Sequence, residues 1–228
     1  MADHASHDQA LWIDGERVPA RSGRSAPVTN PATGEVLAQV AQAGPDDVEA
    51  AVAAARCSWE RGDWRRATSS ERAKGLLRLA ERIRAAAGEL AALESRNVGK
   101  PIQESRGEIE MGAACFQYYA GLLPAFGGQT VPVGAPGTGL TFREPVGVCG
   151  LIVPWNFPFA ITTWKVAPAL ALGNSVVVKP ASATPLTALR LAELAAEAGV
   201  PPGVLNVVPG PGGAAGSALA RHPDVRKI

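Results

Sequence analysis

The fold is indicated by a short apolar run, Val146-Gly147-Val148-Cys149-Gly150-Leu151-Ile152-Val153. A run of this length without charged residues is typical of a strand that is buried on both faces of a sheet. From this run to residue 228, predicted strands alternate with predicted helices. The strands are predicted at 146–153, 175–178, 204–208 and 225–228, and the helices at 159–172, 185–198 and 214–220. Such alternation predicts an α/β fold with a parallel sheet and right-handed crossovers.

The chain before this run contains a short strand, several helices and a hairpin. Leu11-Trp12-Ile13-Asp14-Gly15 reads as a strand that enters a turn, and Pro45-Asp46-Asp47 reads as the first turn of a helix. Thr68-Ser69-Ser70-Glu71 has the spacing of a capping box ahead of an apolar helical face. A further helix is predicted from about 102 to 123. Strand patterns on both sides of a Gly/Pro-rich turn predict a β-hairpin at 129–143.

These patterns divide the chain into three parts. Residues 1–128 form an N-terminal part, residues 129–143 form a protruding hairpin, and residues 144–228 form the core of the parallel sheet. Because a hairpin has no core of its own, we expect it to pack on another surface, such as that of a partner subunit.

Composition and charge argue against several classes of protein. The chain has 228 residues, of which 46% are hydrophobic and 19% charged, with a formal net charge of +1. Basic and acidic residues are mixed, so we expect neither a nucleic-acid nor a membrane partner. Residues 1–9 lack the apolar segment of a secretory signal, and no apolar run approaches the roughly 20 residues that span a bilayer. Cys57, Cys115 and Cys149 match no metal-ligand spacing, so we expect reduced thiols in a cytoplasmic protein without a metal site.

Polar or glycine-rich turns follow the first three predicted strands, at 154–158, 179–182 and 210–216. Because ligands bind at the carboxyl ends of strands in an open parallel sheet, these turns are candidates for a nucleotide site. Each has two interpretations. The glycine run is a tight turn or a backbone that approaches a pyrophosphate at a helix N-terminus. Lys179 is a solvated strand-end residue or a ligand contact. Asn156 closes an Asx-type turn or aims a donor at a substrate oxygen.

Together, these residues resemble the aldehyde dehydrogenase superfamily. The similar motifs are Val153-Pro154-Trp155-Asn156-Phe157-Pro158, Trp164-Lys165-Val166-Ala167-Pro168-Ala169-Leu170, Gly173-Asn174, Lys179-Pro180-Ala181 and Gly199-Val200-Pro201-Pro202-Gly203-Val204-Leu205-Asn206-Val207-Val208. Upstream, the same order is kept by Asn30-Pro31-Ala32-Thr33-Gly34-Glu35, Gly99-Lys100-Pro101, Tyr118-Tyr119-Ala120-Gly121 and Arg143-Glu144-Pro145-Val146-Gly147-Val148. The resemblance implies a Rossmann-like dinucleotide-binding domain, of which residues 1–128 are the N-terminal part and residues 144–228 the incomplete cofactor-binding core. It also implies NAD or NADP as cofactor, a small-molecule aldehyde as substrate, and a homodimer or homotetramer in which the hairpin is the oligomerisation arm.

The resemblance also implies roles for individual residues. Asn156 would donate a side-chain N–H to the oxyanion of a thiohemiacetal, and Lys165 would take part in a proton relay. The residues implied in cofactor binding are Ile152, Val153, Pro154, Trp155, Lys179, Ser182, Gly212 and Gly216. The residues implied in lining an aldehyde tunnel are Phe157, Ile161 and Trp164, for which the alternative is plain helix core.

Ser182 bears on the choice between NAD and NADP. Many NAD-preferring members of the superfamily carry a glutamate at this position, and its carboxylate would repel a 2′-phosphate. A serine removes that charge and leaves Lys179 nearby as an unopposed cation, so we expect NADP to be accepted as well as NAD. The alternative is that Ser182 only caps the helix predicted from Pro185.

The covalent chemistry implied by the resemblance needs residues that this chain lacks. In the superfamily, a cysteine thiolate attacks the aldehyde, a hydride passes to the nicotinamide, and a glutamate activates the water that hydrolyses the thioester. Both residues follow the segment that this sequence matches, and a cysteine inside a buried strand, such as Cys149, is normally inert. We therefore expect the chain to end before the catalytic domain and to be inactive alone. The alternative is a non-catalytic nucleotide-binding or assembly module.

Overall fold

The computed structural model describes residues 9–134 and 137–228. Its strands are β1 Leu11–Ile13, β2 Glu16–Val18, β3 Ser25–Thr29, β4 Val36–Ala41, β5 Thr130–Pro132, β6 Thr138–Leu140, β7 Val148–Ile152, β8 Ser175–Lys179, β9 Leu205–Val207 and β10 Val225–Lys227. Its helices are α1 Pro45–Arg61, α2 Ser69–Ala85, α3 Ala87–Val98, α4 Ile102–Leu122, α5 Pro158–Ala171, α6 Leu186–Glu197 and α7 Ser217–Arg221.

A six-stranded sheet forms the centre of the fold, with the strand order β10-β7-β8-β9-β1-β2. Strands β7 to β10 are parallel, whereas β1 pairs antiparallel with both β9 and β2. The predicted α/β fold with a parallel sheet is therefore confirmed. Two strands from the N-terminal part of the chain extend the same sheet, so that part and the parallel core share one sheet.

Helices cover both faces of the sheet because its inner strands are apolar on both sides. Successive residues of a strand point to opposite faces. In β8, Val176 and Val178 belong to the core beneath α5 and α6, while Val177 belongs to the core beneath α1 and α7. Helices α2, α3 and α4 pack against α5 and α6 and thicken that side. Within the described ranges, no helix combines the length and apolar character needed to cross a bilayer.

Two helices differ from those predicted. Helix α3 was not predicted, because it follows α2 with only Ala86 between them and has no side-chain cap to mark its start. The helix predicted at 214–220 forms in two pieces, a π-helical turn at Gly212–Gly216 and then α7. Glycines are poor α-helix formers, so the glycine-rich start takes a wider turn before the regular helix begins.

The predicted hairpin is confirmed in the described part of 129–143. Strands β5 and β6 pair with each other, from Thr130 opposite Leu140 to Pro132 opposite Thr138, and form a sheet of their own. Residues 135–136, in its turn, lie outside the described residues. Several apolar side chains of this segment are exposed, namely Val131, Val133, Leu140 and Phe142.

Gly112 allows α4 to approach α5 closely, and this contact can be tested. A Cβ atom at this position would lie 2.6 Å from Cε1 of the fully buried Phe159 and 3.0 Å from Thr163 Cγ2. We expect Gly112→Ala to lower the free energy of unfolding by about 1–3 kcal/mol, because the two helices must separate. Urea denaturation of both proteins measures the difference.

Gly107→Ala provides a matched control in the same helix. Nothing lies within 4 Å of a Cβ atom at Gly107, so the alanine should raise the free energy of unfolding by about 0.5–1 kcal/mol through helix propensity alone. Equal effects of the two substitutions would contradict the assigned contact.

Candidate functional site

The order of strands creates a crevice at the carboxyl end of β7. The chain proceeds from β7 to β8 and then β9 in one direction, whereas β10 lies on the other side of β7. This reversal of direction is a topological switch point, and open α/β sheets bind ligands at such a point, outside the carboxyl ends of the strands. The turn that leaves β7, residues 153–157, begins at this crevice and enters α5.

Hydrogen bonds join the turn after β7 to the turn after β8. Val153 N donates to the Lys179 carbonyl over 3.1 Å, and the Thr184 hydroxyl donates to the Trp155 carbonyl over 3.2 Å. Ile152, the last residue of β7, lies opposite Lys179 in the parallel register. The turn itself is open to solvent, and the Trp155 side chain is 63% exposed. An aromatic surface therefore lies beside the ends of two parallel strands.

Lys179 joins the turn after β8 to the turn after β9. Its side chain is buried, with 4% relative exposure, and Nζ donates to the carbonyls of Pro180 at 2.7 Å and Gly210 at 3.4 Å. Burial lowers the pKa of the Lys179 ammonium from its ordinary value. The interpretation of Lys179 as a solvated residue is therefore wrong. An ammonium has three donors, so one has no partner in the part of the chain that the structure describes.

The glycines of 210–216 have different structural roles. A Cβ atom on Gly210 would lie 2.6 Å from the Ala43 carbonyl oxygen, so the tight approach of two backbone segments explains this glycine. A Cβ atom on Gly216 would lie 3.4 Å from Lys179 Cδ. Gly212, in contrast, is exposed, and a Cβ atom there meets nothing within 4 Å. The backbone is therefore open at the start of the π-helical turn, at Gly212 and the next residue, Gly213.

Asn156 presents an available amide at the crevice. The residue is exposed, and its side chain forms no hydrogen bond with any other described residue, so the interpretation as an Asx-type turn is wrong. Its backbone carbonyl accepts from Lys100 Nζ over 3.0 Å. The backbone of Asn156 is therefore held, while its side-chain N–H groups have no acceptor among the described residues.

The predicted tunnel residues lie at the residue before α5 and along the first half of that helix. Phe157, Ile161 and Trp164 follow the i, i+4, i+7 spacing of a helical face. Phe157 is 45% exposed and Trp164 is 49% exposed, whereas Ile161 packs partly against the core. The interpretation as plain helix core is therefore wrong for the two aromatic residues. Lys165 lies one turn after Ile161, is half-buried, and has no ion pair among the described residues.

Ser182 does not cap α6. Helix α6 begins after Pro185 without a side-chain cap from its own segment. Instead, Asn97 of α3 supplies the acceptor, because its Oδ1 accepts from Leu186 N over 3.4 Å, while its Nδ2 donates to the Ala183 carbonyl over 2.9 Å. Ser182 lies half-buried in the turn between β8 and α6, with its hydroxyl unpaired within the described chain.

Known proteins share this architecture. Residues 18–228 match the model of the aldehyde dehydrogenase family. This chain belongs to the aldehyde dehydrogenase family. It is 50% identical over 221 residues to aminoacetaldehyde dehydrogenase of Pseudomonas aeruginosa, with 96% of this chain and 45% of that protein covered. It is 47% identical over 220 residues to human mitochondrial aldehyde dehydrogenase, with 96% of this chain and 43% of that protein covered.

A solved aldehyde dehydrogenase structure extends the comparison to three dimensions. The NAD+ complex of aldehyde dehydrogenase from Bacillus cereus superposes with a TM-score of 0.93 at 43% identity, with 96% of this chain and 45% of that chain covered. The chain therefore spans about half the length of the relatives that it matches, and its fold is that of the corresponding part of an aldehyde dehydrogenase.

Sequence reasoning missed Glu94, which lies behind the site of this aldehyde dehydrogenase chain. Its buried carboxylate accepts from Phe159 N at 3.2 Å and from the Thr187 hydroxyl at 2.7 Å, in the first turns of α5 and α6. Burial raises the pKa of Glu94 to about 7, although these two hydrogen bonds oppose the shift. The available signal was its spacing after Leu90 and Ala91, which puts an acidic residue on the apolar face of α3.

Sequence reasoning also missed the pair formed by Lys100 and Glu108. Lys100 Nζ lies 2.7 Å from both Glu108 carboxylate oxygens, and both side chains are less than a tenth exposed. The ammonium also lies 4.4 Å from the centre of the Phe157 ring. Gly99, in the left-handed conformation at the end of α3, lies directly before the lysine. The motif Gly99-Lys100-Pro101 was noted in the sequence, but its link to the turn after β7 needed the structure.

The raised pKa of Glu94 predicts a pH-dependent stability. Between its ordinary pKa of 4.5 and about 7, the folded protein keeps this proton while the unfolded chain loses it. The free energy of unfolding should therefore fall as pH rises through this window. Glu94→Gln keeps an acceptor but cannot ionise. Relative to this variant, the wild type should lose about 3 kcal/mol across the window in urea denaturation.

Glu104→Gln is the matched control, since Glu104 is an exposed carboxylate in the first turn of α4. This variant retains Glu94, so its free energy of unfolding should fall with pH across the same window as that of the wild type. A constant difference between Glu94→Gln and the wild type would show that Glu94 is ionised alike in the folded and unfolded states.

Proposed function

We propose that this chain is the N-terminal, cofactor-binding part of an NAD(P)-dependent aldehyde dehydrogenase, which oxidises an aldehyde to a carboxylic acid through a cysteine thiohemiacetal and thioester. The observation that carries the proposal is the side-chain amide of Asn156, which has no partner within residues 9–134 and 137–228 and lies at the switch point of the sheet, at the start of α5. Family membership over residues 18–228 supports it.

The turns that border the crevice offer the hydrogen-bond donors and the open backbone that a dinucleotide needs. The residues that would hold it are Ile152, Val153, Pro154, Trp155, Lys179, Ser182, Gly212 and Gly216. The open backbone at Gly212 lets a bulky group approach, while Lys179 keeps one donor for ribose or phosphate oxygens. When bound, the nicotinamide supplies a hydride acceptor for the carbon that is oxidised.

The residues at the start of α5 act on the aldehyde. Asn156 donates an N–H to the oxyanion that forms when the carbonyl is attacked, and a donor in this position favours the tetrahedral species over the substrate. Phe157, Ile161 and Trp164 offer an apolar path for the aldehyde along one face of the helix. Lys165, next to that face, moves protons in the later hydrolytic step.

We infer that the nucleophile and the general base lie outside residues 1–228. A reactive cysteine needs a lowered thiol pKa. Burial instead raises the pKa of both Cys115 and Cys149. Cys57 is exposed on α1, where its sulfur accepts from Arg61 of the same helix, away from the turns that form the site.

We further propose that the full protein assembles as a homodimer or homotetramer through the hairpin. Strands β5 and β6 form a separate sheet and expose Val131, Leu140 and Phe142. A two-stranded hairpin is at best marginally stable alone, and a partner subunit would cover this apolar surface.

The DNA that follows the codon for Ile228 tests the proposal most directly. An open frame that encodes a further glutamate and cysteine in an aldehyde dehydrogenase catalytic domain supports it. The purified full-length protein should then form reduced nicotinamide when given an aldehyde. A stop codon at this point, with stable expression of the short chain, would instead favour a non-catalytic nucleotide-binding module.

Asn156→Ala tests the assigned oxyanion donor in the full-length enzyme. We expect kcat to fall by roughly 10²–10³, because a hydrogen bond made mainly in the transition state is lost. The KM for NAD should change little. Steady-state kinetics with saturating aldehyde measure both values. Gln39→Ala, which removes an exposed amide on β4, is the control and should keep full activity. Weaker cofactor binding at unchanged kcat would disprove the role.

Ser182→Glu tests the choice of cofactor in the same enzyme. We expect the wild type to use NADP measurably. The glutamate should lower the ratio of kcat/KM for NADP to that for NAD by roughly tenfold or more, which corresponds to about 1.4 kcal/mol of repulsion with a 2′-phosphate. Ser182→Ala is the neutral control and should shift the ratio much less. A ratio unaltered by the carboxylate would mean that other residues select the cofactor.

A further inference from the structure

We infer that Lys100, fixed by Glu108, is a positioning residue that holds the peptide between Asn156 and Phe157 and thereby aims the Asn156 amide at the reacting oxygen. This inference rests on the proposed role of Asn156. It assigns a function to a buried ion pair that lies outside the strand-end turns and outside the residues proposed to touch cofactor or substrate.

The three donors of the Lys100 ammonium have three acceptors. Two are the Glu108 carboxylate oxygens, each at 2.7 Å, and the third is the Asn156 carbonyl at 3.0 Å. An ammonium has only three N–H groups, so no donor remains for a ligand. The charge of Lys100 is neutralised by Glu108, so the contact with Asn156 serves geometry rather than the binding of an anion.

The contact of Lys100 with the Asn156 carbonyl restrains the backbone on both sides of the peptide bond between Asn156 and Phe157. The Asn156 carbonyl lies in the same rigid plane as Phe157 N, so holding its oxygen fixes the backbone on either side. The same ammonium lies 4.4 Å from the centre of the Phe157 ring, within the range of a cation–π contact. Lys100 therefore holds the residue that carries the amide and the residue that follows it.

Helix α5 does not supply this restraint itself. Phe157 has non-helical angles, with φ −135° and ψ 59°, and the first helical hydrogen bond of the segment runs from Ile161 N to the Phe157 carbonyl. Among the described residues, Lys100 is the hydrogen-bond partner of the Asn156 carbonyl. Glu94 separately holds Phe159 N, so the start of α5 stays in place when Lys100 is changed. Loss of Lys100 should therefore affect the turn more than the helix.

A double-mutant cycle in the full-length enzyme tests the inference. Lys100→Met should lower kcat by roughly 10–100-fold, since a small misplacement of a catalytic group is costly, while the KM for NAD changes by less than about twofold. In the Asn156→Ala background, Lys100→Met should lower kcat by less than about twofold further, because the group that Lys100 positions is gone. Lys74→Met, which changes an exposed lysine on α2, is the matched control and should keep full kcat.

Glu108→Gln keeps the test decisive if Lys100→Met does not fold. This variant retains an acceptor for Lys100 but removes the neutralising charge, so we expect a smaller loss of kcat and the same lack of additivity with Asn156→Ala. Multiplicative losses in the cycle, or full kcat in Lys100→Met, would overturn the positioning role alone. Full kcat in Asn156→Ala would overturn the proposed role of Asn156 and this inference with it.

Discussion

Close packing around β7 is the constraint on which the site depends. The strand is hydrogen-bonded to β8 on one side and to β10 on the other. A Cβ atom at Gly150, in its middle, would lie 2.7 Å from Ile228 Cδ1 and 3.0 Å from Leu219 Cγ, so these two side chains pack closely against the strand. Because the strand is fixed at both edges and on the face beneath α7, its carboxyl end is a fixed point. The turn that carries Asn156 starts from that point.

A turn fixed only at its first residue would still sample many conformations, and polar side chains from one short segment prevent this. Glu94 and Asn97 of α3 hold the backbone N–H groups of Phe159 and Leu186, at the starts of α5 and α6. Lys100, just after the same helix, holds the carbonyl of the turn. Burying polar groups is costly unless each finds a partner. Each of these three polar side chains has a partner. The segment 94–100 therefore positions the starts of α5 and α6 and the turn between β7 and α5.

The sequence predicted the parts of the fold that depend on local patterns. Alternating strands and helices after residue 146 predicted the parallel sheet, and the capping box at Thr68 marked the start of α2. It did not predict that β1 would join the sheet beside β9, because that pairing joins residues 11–13 to 205–207 and leaves no periodic signal. It missed α3 because Ala86 leaves no break between two helices.

The site, like the fold, could be predicted from the sequence only where it depends on the local order of residues. The strand-end turns follow from position along a parallel sheet, which is a rule about sequence order. The supports behind them do not, because Glu94, Asn97 and Lys100 act on residues far along the chain. Only the presence of an acidic side chain on an apolar helical face hinted at Glu94. The burial of Lys179 was also beyond sequence reasoning, since its partners are backbone carbonyls, which every residue carries.

Two buried lysines, Lys100 and Lys179, lie at this edge of the sheet. Their surroundings differ, and this difference determines which of them is suited to bind a ligand and which to support the backbone. Lys100 has Glu108 as a carboxylate partner and three acceptors for its three donors. Its charge is therefore neutralised and all its donors are used without a ligand. Among the residues that the structure describes, Lys179 has two carbonyl partners and no carboxylate partner, and burial lowers its pKa. An ammonium in that state gains from any further oxygen acceptor that enters the crevice, because the acceptor satisfies its last donor and stabilises its charge. The unsatisfied lysine is therefore the one suited to hold a ligand, and the satisfied lysine is the one suited to hold the backbone.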